Sequence, residues 1–342
     1  MSIRVTPETT IGDLYNDPRM GAYHRFLFSV MNEPTMVRTL DNLGFEKCAM
    51  QQTVDRLEEM AAAGMDTPIP LYTPEEIAAV PSREKAELLF FPAGEGKPCM
   101  LICPGGAYAR EWGLVEGLSI AVALNRLGYP ALVLFYRTKN DPPFDEPVLP
   151  DALEDLARAV RYLTTHAAEL HISPDSYSVS GFSAGAHLAA EWGTVNHGWR
   201  TQGLPAPAAL LLCYPPVDLA AFLDGMGTDL ADRTNGANYF MYRVGGYGVT
   251  REVLEDYSPS RHMDADYPPT CVYACEDDGT VPVAQGKLML QRLEELGIRH
   301  DGIIGARGGH SFGLGLGTDV AGWLPHALHF WRPAGPAVGS DL

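Results

Sequence analysis

The pentapeptide Gly181-Phe182-Ser183-Ala184-Gly185 places a serine between two glycines, after an apolar run and before a helical pattern. This context predicts a sharp turn from a strand into a helix. A serine on such a turn exposes its hydroxyl, and small flanking residues avoid clashes with the neighbouring backbone. The pattern therefore predicts Ser183 as a nucleophile. The alternative is a structural turn in which the serine only caps the helix.

A serine hydroxyl needs a base within hydrogen-bond reach and a third group that fixes the tautomer of that base. His310 lies in a glycine-flanked loop that suits the presentation of a side chain. Asp278 follows an apolar run typical of a late strand, and the adjacent Asp277 is an alternative for the same role. The chain order of serine, acid and histidine is one that serine hydrolases use. The sequence thus predicts Ser183 as nucleophile, His310 as general base and Asp278 as orienting acid.

His187 is the main rival for the role of base, because it lies four residues after Ser183. On a helix that starts at the serine its side chain points away along the helix, so we expect it to pack in the interior. Whichever of Asp277 and Asp278 does not face the histidine is expected to form a turn or to cap the helix near Pro282.

The segment 104–108, Pro-Gly-Gly-Ala-Tyr, immediately follows a predicted strand. A tetrahedral intermediate carries an oxyanion that needs backbone N–H donors, each worth roughly 3 kcal/mol of barrier. We predict that the amides of Gly106, Ala107 and Ala184 form this oxyanion hole. The alternative for 104–108 is a turn that only ends the strand.

Short apolar runs alternate with helical patterns from about residue 86 onwards. The predicted strands are 87–91, 100–103, 131–136, 177–180, 210–214, 270–275 and 302–304, and the main predicted helices are 115–127, 151–170 and 283–296. Such alternation is typical of a parallel sheet covered by helices on both faces, so the predicted fold class is α/β. The first two strands flank a turn at 94–97 and could pair as a hairpin.

Residues 1–85 contain helical patterns and no convincing strand. We therefore predict a helical N-terminal extension over 1–85 and a catalytic domain over 86–335. The extension could cover the rim of the active site or form an oligomer contact, which leaves a homo-oligomer open; alternatively, it only buries the sheet edge. Two further segments, 141–147 and 218–257, could arch over a pocket.

Composition restricts the classes of partner. Hydrophobic residues make up 46% of the chain and charged residues 20%, which indicates a globular protein. With 43 acidic and 25 basic residues the net charge is −18, which disfavours nucleic acid and anionic lipid and favours a neutral or weakly charged substrate. No run is long enough to span a membrane, and no signal peptide is evident, so we expect a cytoplasmic protein whose six cysteines are reduced.

Taken together, these motifs resemble the esterase/lipase-like α/β-hydrolases that include acetyl-xylan and other carbohydrate acetylesterases and bacterial feruloyl-esterase-like proteins. The matching stretches are 104–108, 136–137, 151–160, 181–188, 278–282 and 309–313, within roughly 86–332. The resemblance implies an α/β-hydrolase fold with a mostly parallel central sheet, the triad and oxyanion amides named above, and no metal or organic cofactor.

Two positions depart from the family pattern. The glycine triplet of the oxyanion loop reads Gly105-Gly106-Ala107, and a methyl group on Ala107 would narrow the acyl pocket. The glycine that usually follows the histidine is Ser311 here.

The expected activity is removal of acetyl or another short acyl group from a carbohydrate or small-molecule ester through an acyl-enzyme intermediate. Tyr108 and Trp112 lie beside the oxyanion loop and could pack on a sugar ring, although such aromatic residues often simply fill space. One alternative is an arylformamidase-like amide hydrolase or a peptidase. Another is a non-catalytic ligand-binding protein of the same fold, although such proteins usually lack a triad member and this chain has candidates for all three.

Overall fold

An eight-stranded sheet forms the centre of the computed structural model, which describes residues 2–331. Its strands are β1 (Ile69–Pro70), β2 (Glu87–Phe91), β3 (Lys97–Cys103), β4 (Ala131–Phe135), β5 (Ile172–Phe182), β6 (Ala209–Cys213), β7 (Thr270–Cys275) and β8 (His300–Gly305). The order across the sheet is β1-β2-β4-β3-β5-β6-β7-β8. The strands from β3 to β8 run parallel to one another, and β2 is antiparallel to both of its neighbours, β1 and β4.

Helices cover both faces of the sheet. They are α1 (Ile11–Tyr15), α2 (Glu33–Met36), α3 (Met50–Ala62), α4 (Pro74–Ala79), α5 (Ser119–Arg126), α6 (Leu149–Thr165), α7 (Ala184–Glu191), α8 (Leu219–Met226), α9 (Tyr239–Gly245), α10 (Arg251–Asp256), α11 (Val283–Glu295) and α12 (Trp323–Trp331), and a π-helical turn spans Leu114–Leu118. Successive strand residues face opposite sides, so Met100 and Ile102 join one apolar cluster while Leu101 and Cys103 join the other. The predicted α/β class is confirmed.

The hairpin predicted for β2 and β3 is wrong. Strand β4 lies between them, antiparallel to β2 through Leu89 and Val133 and parallel to β3 through Ile102 and Val133. The other edge of β3 pairs with β5. Every β3 residue after Lys97 is buried, as expected of a strand covered on both faces, so β3 occupies the sheet centre rather than a local ribbon.

The N-terminal segment contains α1 to α4, and it also contributes β1 to the sheet edge, a strand that the sequence did not predict. Thr73 caps α4 in a reciprocal arrangement with Glu76, which explains the start of that helix. Buried side chains of α3, such as Leu57, belong to the same apolar cluster as Leu124 of α5. The segment therefore covers the sheet edge and one helical layer. The predicted end of the catalytic domain, residue 335, lies outside the described residues.

The two irregular segments predicted at 141–147 and 218–257 pack against each other. The buried Phe144 ring lies 5.1 Å from the ring of Tyr239 and 5.8 Å from that of Tyr247. The Arg243 side chain donates hydrogen bonds to the carbonyl oxygens of Lys139 and Asn140, both at 2.7 Å. The second segment is partly helical, since it contains α8, α9 and α10. Among residues 2–331 no helix combines the length and apolar character needed to cross a bilayer.

Candidate active site

The predicted turn from strand to helix is present between β5 and α7, with Ser183 at its apex. Ser183 has φ 53° and ψ −118°, a conformation that a non-glycine residue rarely adopts. A Cβ on Gly181 would lie 2.1 Å from the Gly185 carbonyl oxygen, and one on Gly185 would lie 2.0 Å from that of Cys103. Both glycines are therefore sterically required. The Ser183 side chain does not cap α7, so the structure does not support the capping alternative.

The structure brings Ser183, His310 and Asp278 together. The serine Oγ lies 2.9 Å from Nε2 of His310, and Nδ1 of the same ring lies 2.8 Å from Oδ2 of Asp278. Because an ionised carboxylate can only accept, Nδ1–H donates to Asp278 and Nε2 is left to accept from the serine hydroxyl. Asp278 is buried, with 1% of its side chain exposed, whereas 16% of the His310 side chain is exposed. This arrangement allows proton transfer from Ser183 to His310.

The adjacent Asp277 contacts the backbone of the histidine loop instead of the imidazole. Its Oδ1 accepts from the N–H groups of Gly308 and Gly309 at 3.0 and 2.8 Å. These hydrogen bonds, that from Gly309 first, lower the pKa of Asp277. Asp278 meanwhile uses Oδ1 to accept from the N–H groups of Thr280 and Val281, which fixes its own turn. The geometry thus assigns the histidine contact to Asp278 and the loop contact to Asp277.

The predicted oxyanion loop, residues 104–108, lies against the turn that carries Ser183. A Cβ on Gly105 would lie 2.8 Å from Cβ of Ser183, and one on Gly106 would lie 2.0 Å from the Arg110 carbonyl oxygen. Within residues 2–331 the N–H groups of Gly106 and Ala107 have no hydrogen-bond acceptor, and that of Ala184 opens α7 without one. The three predicted amides are therefore available to a ligand oxygen.

The two aromatic residues predicted to contact substrate have different environments. Tyr108 is fully buried, its hydroxyl lies 2.8 Å from Nδ1 of His187, and its ring stacks on Phe240. The structure therefore differs from the prediction for Tyr108, because these contacts hold the ring in the interior. Trp112 is half-buried and lies beside Gly106, packed edge-on against Phe28 of the N-terminal segment. Trp112 remains a candidate for substrate contact.

His187 packs in the interior, as expected. Its Nε2 lies 2.8 Å from the carbonyl oxygen of Tyr257, and its Nδ1 contacts the Tyr108 hydroxyl. Burial lowers the pKa of His187 to about 4. Glu191 lies 3.7 Å away, but burial raises the pKa of that carboxyl well above its usual range. Burial therefore disfavours the charged form of both side chains, and His187 connects α7 to the segment before Pro259 through hydrogen bonds.

The buried His187 predicts a pH-dependent stability. Its pKa falls from the usual 6.5 to about 4 on folding, so the unfolded state binds the proton more readily. The stabilisation is therefore complete above pH 6.5 and is lost as pH falls towards 4. We expect the free energy of unfolding, measured with urea, to drop by about 2 kcal/mol between pH 7 and pH 5 from this group. In His187→Gln, which retains a donor for Tyr257, the drop should be smaller by that amount; an equal drop would contradict the assignment.

Sequence reasoning missed Glu116, which is buried beside the oxyanion loop. Its Oε2 accepts from the N–H of Gly105 at 2.8 Å, and its Oε1 accepts from the hydroxyls of Tyr214 and Ser311 at 2.9 and 2.8 Å. The sequence contained one indication of this role, because Glu116 is a single carboxylate inside the apolar stretch Leu114–Leu118.

No group of three or more His, Cys, Asp or Glu side chains within residues 2–331 is arranged to hold a metal ion. The six cysteines are buried, and none of them is in a disulfide.

Comparison with known proteins identifies the family. The BD-FAE family model matches residues 89–293. Endo-1,4-beta-xylanase B of Butyrivibrio fibrisolvens is 28% identical over 66% of this chain and 34% of its own length. Acetylxylan esterase of Xylanibacter ruminicola is 24% identical over 75% of this chain and 50% of its own length. The chain thus spans half or less of the length of these two curated relatives.

A solved structure has a similar fold. The acetyl ester-xyloside bifunctional hydrolase from Caldicellulosiruptor lactoaceticus superposes with a TM-score of 0.62 at 26% identity, covering 80% of this chain and 97% of that one. These matches confirm the resemblance inferred from the motifs. Since the matched segment 89–293 is more than half of the 342 residues, the chain belongs to the BD-FAE family and has the α/β-hydrolase fold.

Proposed function

We propose that this chain is a serine carboxylic ester hydrolase that removes acetyl or another short acyl group from a carbohydrate or small-molecule ester. The observation that carries the proposal is the 2.9 Å contact between Oγ of Ser183 and Nε2 of His310, beside amides that have no acceptor among the described residues. A nucleophile, a base and oxyanion donors together form the machinery of acyl transfer.

Acylation begins when Oγ of Ser183 attacks the ester carbonyl carbon and its proton passes to Nε2 of His310. The carbonyl π electrons move to oxygen, and the amides of Gly106, Ala107 and Ala184 donate to the resulting oxyanion. Asp278 stabilises the imidazolium through the Nδ1 hydrogen bond. Collapse of the intermediate re-forms the carbonyl and breaks the bond to the alcohol oxygen, which takes the proton from His310. The products are a free alcohol and acyl-Ser183.

Deacylation repeats these steps with water. His310 takes a proton from the water as its oxygen attacks the acyl carbon, and the same amides bind the second oxyanion. Collapse breaks the bond to Oγ of Ser183, which recovers the proton from His310. The carboxylic acid leaves, and the enzyme returns to its starting state.

Two features support a short acyl group on a neutral alcohol. Ala107, at φ 57°, carries a methyl group where the family pattern has glycine, and we expect this methyl to narrow the acyl pocket. The net charge of −18 disfavours anionic substrates. Similarity to a xylanase, an acetylxylan esterase and an acetyl ester-xyloside hydrolase supports a carbohydrate acetyl ester as the substrate.

An ester panel tests this proposal. We expect kcat/KM to be highest for p-nitrophenyl acetate and to fall at least about tenfold towards the octanoate, because a narrow pocket rejects added methylenes by 1–3 kcal/mol each. Acetylated xylo-oligosaccharides should also release acetate. Faster turnover of N-formylkynurenine or aminoacyl amides would instead assign an amide hydrolase. No turnover of any compound, with no fluorophosphonate labelling of Ser183, would favour a non-catalytic binding protein.

A further inference from the structure

A single buried carboxylate contacts three separate segments of the site. Glu116 is 1% exposed and accepts from the backbone of Gly105 in the oxyanion loop. It also accepts from Tyr214, which follows β6, and from Ser311, which follows the base His310. All three partners are donors, so this environment suits an ionised carboxylate, which can only accept. Glu116 thus joins the oxyanion loop, the end of β6 and the histidine loop.

The segments that Glu116 joins have strained backbones. Tyr214 has φ 44° and Ser311 has φ 56°, and Ala107, two residues after Gly105, has φ 57°. Such conformations are unfavourable in a non-glycine residue and persist only where surrounding contacts fix them. Glu116 accepts hydrogen bonds from the side chains of two of these residues and from the backbone of the oxyanion loop, which contains the third.

The position of Glu116 depends on an irregular helix. The π-helical turn Leu114–Leu118 precedes α5, and all five of its residues are buried. π-helical turns are rare in proteins, and many of those that do occur lie at functional sites. The backbone of this region is also tied to the oxyanion loop, because the N–H of Trp112 donates to the carbonyl oxygen of Gly105 at 3.0 Å.

We propose that Glu116 is a positioning residue for ester hydrolysis, holding the oxyanion loop and the histidine loop in register with Ser183. This inference rests on the proposed function and deepens it. The carboxylate acts through Gly105 on the amides of Gly106 and Ala107, and through Ser311 and Tyr214 on His310. The Tyr214 ring lies 4.6 Å from the His310 ring.

When ionised, Glu116 also places negative charge near the base. Burial is the largest influence on Glu116 and raises its pKa, and the opposing effects of His310 and the three donors only partly offset it. An ionised Glu116 stabilises the imidazolium that forms when His310 takes a proton. The groups that face His310 or the backbone of its loop are Ser183, Asp278, Tyr214, Glu116, Asp277 and Lys47.

The variant Glu116→Gln tests this role. Glutamine has nearly the same size as glutamate but carries no charge. Its NH2 group would also face a group that donates a hydrogen bond to Glu116 in the wild type. We expect kcat for p-nitrophenyl acetate to fall on the order of 10- to 100-fold, the loss expected from slight misplacement of reacting groups, with KM changed less than about threefold. The acidic limb of the kcat/KM profile should move to lower pH, because a protonated His310 loses a stabilising charge.

Glu111→Gln is the matched control. Glu111 is also 1% exposed and accepts from the N–H of Tyr136, but burial raises its pKa well above the usual range, which favours the uncharged form, and glutamine is uncharged as well. In Glu111→Gln we expect the acidic limb of the kcat/KM profile to lie at the same pH as in the wild type. If Glu116→Gln leaves kcat and the acidic limb unchanged, or shifts them no more than Glu111→Gln does, the proposal is wrong.

If Glu116→Gln does not fold, two milder variants still test the proposal. Tyr214→Phe and Ser311→Ala each remove one donor, and each should lower kcat about 3- to 10-fold. The rate of fluorophosphonate labelling at Ser183 is measured in parallel, since it does not depend on the identity of the ester. A wild type that is labelled but hydrolyses no ester contradicts the proposed function alone. Wild-type rates in both milder variants, for both readouts, contradict the role of Glu116.

Discussion

The variant Ser183→Ala should lower kcat for p-nitrophenyl acetate by roughly 10⁵-fold or more, because losing a triad nucleophile removes the covalent route entirely. The residual rate should come only from the oxyanion amides and substrate binding. Initial rates are compared with protein-free buffer, and fluorophosphonate labelling is followed by mass spectrometry. We expect no adduct in the variant and a single adduct at Ser183 in the wild type.

The control for this experiment is Ser178→Ala. Ser178 lies on the same strand, β5, and its buried hydroxyl has no hydrogen-bond partner among the described residues. Removing it should leave both kcat and labelling at wild-type values. Hydrolysis by Ser183→Ala at the wild-type rate would mean that another group is the nucleophile and would end the proposed mechanism.

The convergence of Ser183, Asp278 and His310 could be predicted because it depends on topology. Ser183, Asp278 and His310 follow β5, β7 and β8, and the carboxyl ends of parallel strands lie at one edge of the sheet. A strand–turn–helix motif and two loops at that edge were sufficient to expect convergence. The sequence could not distinguish Asp277 from Asp278, because adjacent residues in a turn point in different directions that only the backbone geometry decides.

Glu116 was missed for a different physical reason. Sequence analysis predicted one regular amphipathic helix over 115–127, and a regular period gives no reason for a carboxylate to face the interior. The structure instead begins with a π-helical turn, which changes the angular position of its residues before α5 starts at Ser119. The local pattern of apolar residues does not distinguish a regular α-helix from a helix that begins with a π-helical turn.

The error over β2 and β3 has a similar origin. A glycine-containing turn between two apolar runs indicates a hairpin only if no later strand enters between them. Here β4 pairs with both, and that choice depends on contacts between residues far apart in the chain. Tyr108 illustrates the same limit, since its partners His187 and Phe240 come from distant segments.

The variant Asp278→Asn should lower kcat by about 10³- to 10⁴-fold with little change in KM, as expected when the histidine adopts the wrong tautomer. Asparagine can keep its Oδ1 as acceptor for Thr280 and Val281, so the turn should be retained. Its NH2 group then faces Nδ1 of His310 in place of Oδ2. A donor there requires Nδ1 to accept, which leaves the proton on Nε2, facing Ser183, so the ring can no longer act as a base.

Asp277→Asn distinguishes this effect from a general loss of charge at the same turn. Its Oδ1 can still accept from Gly308 and Gly309, so the histidine loop should keep its shape and kcat should stay within about threefold of wild type. The two variants remove the same charge from adjacent residues, and only one of them changes the partner of the imidazole. If Asp277→Asn proved the more damaging of the two, the assignment of Asp278 as the orienting acid would be wrong, because the loss would then follow the loop contact rather than the tautomer.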